Sequence, residues 1–340
     1  MHTIDHQLIQ LLSNAPPTQI ASALLSAVEA VGALRGTLIQ NEMSALLHHA
    51  LFIRELQCEN LIKGDTYSYT KILCDLSCKK QNSIIKEQAS LFCASGEYIS
   101  EKMERFGCVP ATDFLKANEC LQKLDVSWLS QNALFTGALE PFASPMNEIL
   151  KKVFILGHDT HVLLKIATIY VAFLFTPNLR PFSILAFNIL FTKMVNCQTS
   201  LPAVPIGLAK YQLLSHEAKD TTQDMQKGVL HFLNYLKDDF IEDTLLLRKM
   251  EQSSKTIAND LSNILPKLCS PELMHLLRSQ MCLRNSDIIS ELKVTTKTAI
   301  GYMKQLEVSG FLSSIKVGQE KLYINKRMFS LVLDGDYCGA

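Results

Sequence analysis

At 340 residues, 48% of them hydrophobic, the chain is long enough for about two domains and a sizeable buried core. Thirty-three Lys and Arg balance thirty-three Asp and Glu, so any binding of nucleic acid or anionic membrane must come from a local patch rather than from overall charge. Ten scattered cysteines without a CxxC pair argue against a disulfide framework and for reduced thiols in a cytoplasm. Cys74 and Cys78 lie one helical turn apart with no second ligand pair, which argues against zinc.

The elements expected in chain order are almost all helical, so the fold class is mainly α. The start, MHTIDHQLIQLL, lacks the basic and continuously apolar segments of a signal peptide. Pro16 and Pro17 introduce a helix over Thr18–Val31. Asn41–Asn60 reads as an amphipathic helix with Met43, Leu46, Leu47, Leu51 and Ile53 inward. One or two helices are expected in Asp65–Phe106 and another in Asp113–Leu124, followed by an irregular Ser127–Ser144. Pro145–Leu156 and His161–Phe175 are expected to be helical; Pro177 and Pro181 then break the chain, and Pro181 opens a helix to about Cys197. Two further helices fit Ser215–Lys237 and Asp238–Asn263.

The apolar runs Ile166–Phe175 and Pro181–Phe191 are each about ten residues, where a membrane span needs about 20, so buried helices are expected and no membrane partner. His158 and His161 flank a single nearby carboxylate, Asp159, and read as a helix N-terminus rather than a metal site. No metal and no cofactor are expected. The prolines of Leu265–Pro271 mark a boundary between a helical domain, 1–268, and a C-terminal domain, 269–340.

That C-terminal segment carries the clearest pattern, a winged helix-turn-helix. Pro271–Met281 is a first helix with Leu273, Leu276 and Leu277 inward. Ser286 is placed to cap Asp287–Leu292, Lys293 and Val294 make the turn, and Thr295 or Thr296 caps a helix to Val308. Val294, Ile300, Met303 and Leu306 fall at core spacing, and Gly310 ends the helix. Phe311–Ile315 and Lys321–Ile324 form a short β-hairpin with Gly318 in its turn. In such a motif the start of the second helix enters the major groove, so the expected DNA-binding residues are Thr295, Thr296, Lys297, Thr298 and Tyr302, with Lys316 and Lys321 on the wing. Over Asn285–Met328 seven cations face four anions, a modest local excess that also suits a protein-binding surface.

Leu179–Phe191, LRPFSILAFNILF, resembles the signature of Fic-domain proteins, which move AMP from ATP to a protein hydroxyl. The family pattern reads His-Pro-Phe-x-Asp/Glu-Gly-Asn-Gly-Arg-x-x-Arg. An apolar helix containing Ala172 precedes it, a proline-rich loop and the helices around Leu230–Phe240 follow, and a winged helix closes the order, as in many Fic proteins. The resemblance implies a Fic-like helical domain, but only Pro181 and Phe182 match the motif. Arg180 stands where the family has its general base, and a guanidinium has no lone pair to accept a proton. Ile184 replaces the metal-holding acid and cannot ligate Mg²⁺. Leu185, Ala186 and Phe187 replace the phosphate cradle, and Asn188 and Phe191 replace the two arginines. A second family element, an inhibitory glutamate, has its nearest counterpart at Gly32–Gly36, with Arg35 in the glutamate's place.

The resemblance and its departures together imply a catalytically inactive Fic-like protein, acting as a DNA-binding regulator or interaction scaffold through its winged helix. An atypical AMP-transferase and a non-enzymatic adaptor whose winged helix binds protein remain as alternatives. The expected partners are double-stranded DNA, a protein, and a second copy of the chain in a cytoplasmic homodimer.

Overall fold

The computed structural model describes residues 11–12, 16–38, 41–62, 64–77, 148–153, 155, 157, 159–176, 211, 224–317 and 319–333. Helix α1, Thr18–Leu38, starts where expected, with Ala21 N–H donating to the Pro17 carbonyl at 3.0 Å. It runs two turns past Val31, because Leu34 and Leu38 extend its buried stripe. By length and composition alone this helix could cross a membrane; 33% of its most apolar window is buried. Helix α2, Ser44–Ile62, follows a turn in which the Asn41 side chain accepts from Met43 N–H at 2.8 Å. Met43, Leu46, Leu47, Leu51 and Ile53 are all buried, but so are Glu55, Gln57 and Asn60. Helix α3 is Tyr69–Ser77, with Ser68 Oγ accepting from Lys71 N–H at 3.2 Å.

Residues 148–153 are helical. Helix α4, Val162–Phe175, begins at His161, whose Nδ1 accepts from Leu163 N–H at 3.2 Å. His161 thus serves as a helix cap, and partial burial lowers its pKa. Nearly every side chain from Leu163 to Phe173 is buried, which accounts for the uninterrupted apolar run.

Helix α5 corrects an expectation. Met225–Ile264 is one helix of 40 residues, not two meeting at Lys237 and Asp238. That polar pair contains no breaker, and it bridges to itself at 3.0 Å on the surface without disturbing the backbone ladder. Gly228 lets α5 approach α4: a Cβ there would meet Val171 Cγ1 at 2.8 Å and Phe175 Cζ at 3.0 Å.

The chain divides into two compact units, 1–32 with 82–240 and 33–81 with 241–340, so the boundary expected at 268/269 falls inside the second. In the first unit Tyr170 stacks on Phe232 at 4.4 Å between ring centroids, and Tyr211 meets Phe232 edge-on at 5.0 Å. Tyr211 Oη lies 3.1 Å from His231 Nδ1, and burial pushes the phenol pKa up to about 12.

In the second unit α6, Pro271–Ser279, is capped by Ser270, whose Oγ accepts from Leu273 N–H at 3.2 Å. Leu273, Leu276 and Leu277 are buried as expected. Strand β1, Cys282–Leu283, then leads into α7, Asn285–Leu292. The Asp287 carboxylate accepts from the Arg284 backbone N–H at 2.7 Å, so Arg284 holds the cap position expected of Ser286. Ser286 instead donates its hydroxyl to Asp287 Oδ1 at 3.2 Å. Lys293 closes α7 in the left-handed region, at φ 52° and ψ 39°.

Helix α8, Thr296–Val308, is capped by Thr295, whose Oγ1 accepts from Thr298 N–H at 3.3 Å. Its buried residues are Ala299, Met303 and Leu306; Ile300, expected in the core, is 48% exposed. The helical phase set by that cap turns the 299–303–306 stripe inward and leaves Ile300 beside it. Replacement of Thr295 by Ala is expected to lower stability by about 1 kcal/mol, read as a shift in the urea midpoint with an unchanged slope.

Strands β2, Leu312–Val317, and β3, Glu320–Asn325, pair antiparallel with Val317 opposite Glu320, the tight hairpin that was expected. Strand β1 adds antiparallel to β3, giving the order β1-β3-β2. Helix α9, Lys326–Leu333, starts from Asn325, whose Oδ1 accepts from Met328 N–H at 3.3 Å. From α6 to β3 the elements run helix, strand, helix, helix, strand, strand, with the three strands in one antiparallel sheet. The module packs on the N-terminal helices of its own unit: Tyr69 of α3 reaches the Phe329 ring at 5.7 Å and Met281 Sδ at 3.5 Å.

Candidate nucleic-acid interface

The N-terminal turn of α8 is presented to solvent: Thr295, Thr296 and Lys297 are exposed, and Thr298 and Tyr302 are half-buried. Thr295 and Thr298 bond to each other through their hydroxyls at 2.9 Å, which stiffens the turn and uses part of their capacity for phosphate oxygens. Thr296 and Lys297 therefore stand out as the outward groups of this turn.

On the β2–β3 hairpin the register sets Lys316 of β2 opposite Lys321 of β3. Two like charges across a strand pair repel, and the structure relieves this on one side only. Lys321 Nζ lies 3.0 Å from Glu307 Oε2 and 4.9 Å from the centroid of the Tyr323 ring. Glu307 also accepts the Ser314 hydroxyl. Hydrogen bonds from Ser314 and then Lys321 hold the Glu307 pKa below its ordinary value, and the bond to Glu307 raises that of Lys321. Lys316 is exposed and forms no ion pair among the described residues, so the two hairpin lysines, alike in sequence, differ in availability.

Sequence reasoning missed Lys293, which the left-handed turn before α8 leaves exposed, and Lys304, exposed on α8 itself. Neither forms an ion pair among the described residues. The signal for Lys293 was its place in the turn. The arginines behave differently. Arg278 reaches Glu42 at 2.6 Å and Ser254 at 2.9 Å, Arg284 approaches Glu320 at 3.9 Å, and Arg327 pairs with Asp260 at 2.5 Å. Nothing in a linear sequence marks these as internal fastenings. Lysines thus make up the outward charge, and they suit phosphate contacts better than bidentate base reading.

Two exposed apolar side chains share α8 with the lysines, Ile300 at 48% and Val308 at 80% exposure. The degenerate motif, Arg180, Pro181, Phe182, Ile184, Leu185, Ala186, Phe187, Asn188 and Phe191, lies outside the described residues. Gly32–Gly36 lies within α1, with Arg35 half-buried. Among the described residues no three His, Cys, Asp or Glu side chains gather as metal ligands would. The Cys282 thiol is pushed up to about 11, chiefly by burial. It should stay protonated and react slowly with iodoacetamide at pH 8, and quantitative modification within minutes in the native protein would contradict that environment.

Residues 250–328 match the family described as the C-terminal domain of SoFic-like protein adenylyltransferases. No curated protein matches the chain. Among solved structures, a Fic family protein from Desulfovibrio desulfuricans G20 is similar over 92% of this chain and 98% of its own, with 13% sequence identity and a TM-score of 0.47.

Proposed function

We propose, from the match of residues 250–328 to the SoFic-like C-terminal domain family, that this is a catalytically inactive Fic relative that binds double-stranded DNA through α8 and the β2–β3 hairpin as a wing. The observation that carries the reading is the exposed start of α8 with its lysines. Lys293, Lys297, Lys304 and Lys316 are exposed and form no ion pair among the described residues, so they are available to phosphates. The loss of transferase chemistry rests on the sequence: Arg180 stands in place of a base, and Ile184, Leu185 and Phe187 in place of the metal ligand and phosphate cradle. We further propose a cytoplasmic homodimer without a cofactor, because two weakly charged modules on one duplex gain from their high mutual concentration.

The test is selection from a random duplex pool at two salt concentrations, followed by sequencing. Enrichment of a site is expected, with an affinity slope against log salt of about −3 to −4 if four lysines meet phosphates. Lys316→Ala should reduce that slope by about 1, whereas Lys321→Ala, already engaged by Glu307, should change it by less than half as much. No retention at low salt would sink the nucleic-acid reading. Incubation with labelled ATP and Mg²⁺ is expected to leave both this protein and added proteins unlabelled; transfer of AMP would overturn the inactive assignment.

A second reading has its own observation. Ile300 and Val308 give α8 an apolar edge that a protein partner would cover better than a phosphate backbone does. On that reading Ile300→Asp abolishes partner capture while Lys316→Ala leaves it intact.

A further inference from the structure

Away from the α8 face, a cleft of about 330 Å³ opens in the second unit, at the low end of the ~300–1,000 Å³ typical of ligand sites. Helix α2 contributes His49, the end of α3 contributes Ser77, and the segment from α6 to α7 contributes Gln280, Met281, Arg284 and Asp287.

Its polar lining is underused. Arg284 Nε is buried without a hydrogen-bond partner, and its nearest carboxylate, Glu320, is 3.9 Å away. Neither His49 nor Gln280 makes a side-chain hydrogen bond among the described residues. Asp287 is already occupied, accepting from the Arg284 backbone N–H at 2.7 Å and the Ser286 hydroxyl at 3.2 Å. The cleft therefore offers an unmet charged donor, Arg284 Nε–H, with the His49 and Gln280 side chains beside it. A buried charged donor without a partner is costly, so Arg284 Nε at the edge of an opening points to something that completes it.

We propose that this cleft binds a small monocarboxylic acid, with the Arg284 guanidinium taking the carboxylate and His49 and Gln280 completing its hydrogen bonds. A planar guanidinium matches the two oxygens of a carboxylate. The charge balance selects a monoanion: Asp287 lines the cleft and Glu320 stands behind Arg284, so a dianionic phosphate meets two carboxylates against one guanidinium. Burial, and then the neighbouring His48, lower the His49 pKa, leaving a neutral imidazole with one N–H to give. Met281 and Leu76 supply an apolar wall for the rest of the acid. Arg284 is also the cap residue of α7, so a bound acid would compete with Glu320 for the guanidinium and loosen the link between the helix-turn-helix and β3. Only this last consequence rests on the nucleic-acid reading.

The experiment uses the full chain without DNA, so its failure is separate from failure of DNA binding. Sodium acetate, lactate and benzoate are titrated against the protein at ionic strength matched with sodium chloride, following the thermal midpoint and the heat of binding. Inorganic phosphate serves as the competing anion. A saturable rise with at least one carboxylate, and a smaller one with phosphate, is expected. Arg284→Gln should weaken binding about tenfold or more, as expected for loss of a charged hydrogen bond. His49→Ala should also weaken it, and that variant keeps the test valid if Arg284→Gln does not fold. No saturable response to any of the three acids overturns the proposal. So does an equal response to phosphate, or a response that both variants retain.

Discussion

Arg54→Ala is expected to remove about 3–5 kcal/mol from the stability of the second unit, a large share of what holds a domain folded. Arg54 Nη1 lies 3.3 Å from Asp243 Oδ1, and the two side chains are only 14% and 1% exposed. Such a pair adds little over an apolar pair of the same shape, because both charges have given up their water. Removal of one partner is another matter, since it takes the nearest cation from a carboxylate that is almost wholly buried. The prediction therefore has a counterpart: Arg54→Met with Asp243→Leu should regain most of the loss. Urea unfolding of the two singles and the double gives the coupling directly. A loss under about 1 kcal/mol in Arg54→Ala would mean that Asp243 has another route to neutralisation.

That ion pair also shows where sequence reading stopped. The α6 to β3 segment was legible because its signals are local. Ser270 before Pro271, Thr295 before α8 and the turn between β2 and β3 all sit within a few residues of what they determine. Strand β1 was not legible: two residues have no periodicity, and Cys282–Leu283 becomes a strand only because β3 returns beside it. Spacing alone puts Ile300 in the core, and a shift of one residue in helical phase separates it from buried Ala299. The joining of 33–81 with 241–340 into one unit is further out of reach. It depends on contacts such as Arg54 with Asp243 and Arg278 with Glu42, across about two hundred residues of chain, and an arginine has the same letter whether it grips a carboxylate or faces solvent. For the candidate site the consequence is direct. Sequence ranks Lys316 and Lys321 alike; only the fold places Glu307 against one of them.

Phe232→Ala should destabilise the first unit by about 3–5 kcal/mol, at the upper end of that range. The ring is fully buried, stacked on Tyr170 at 4.4 Å and met edge-on by Tyr211 at 5.0 Å. Its loss removes apolar burial together with two aromatic contacts, each adding about 1 kcal/mol. The remaining question is whether the cavity can collapse. One turn before Phe232 on α5 is Gly228, where even a Cβ would stand 2.8 Å from Val171. The helices α4 and α5 are thus already as close as their backbones and the Val171 side chain allow, and they cannot slide together to fill the void. Phe232→Leu, which refills much of it, should cost less than half as much. Guanidinium unfolding measures the loss, and hydrogen exchange places it: amides of 162–175 should lose protection in Phe232→Ala, while those of 285–325 should hold theirs at low denaturant. Equal losses in both segments would mean that the two units unfold as one, and a loss near 1 kcal/mol would mean that water already reaches the ring.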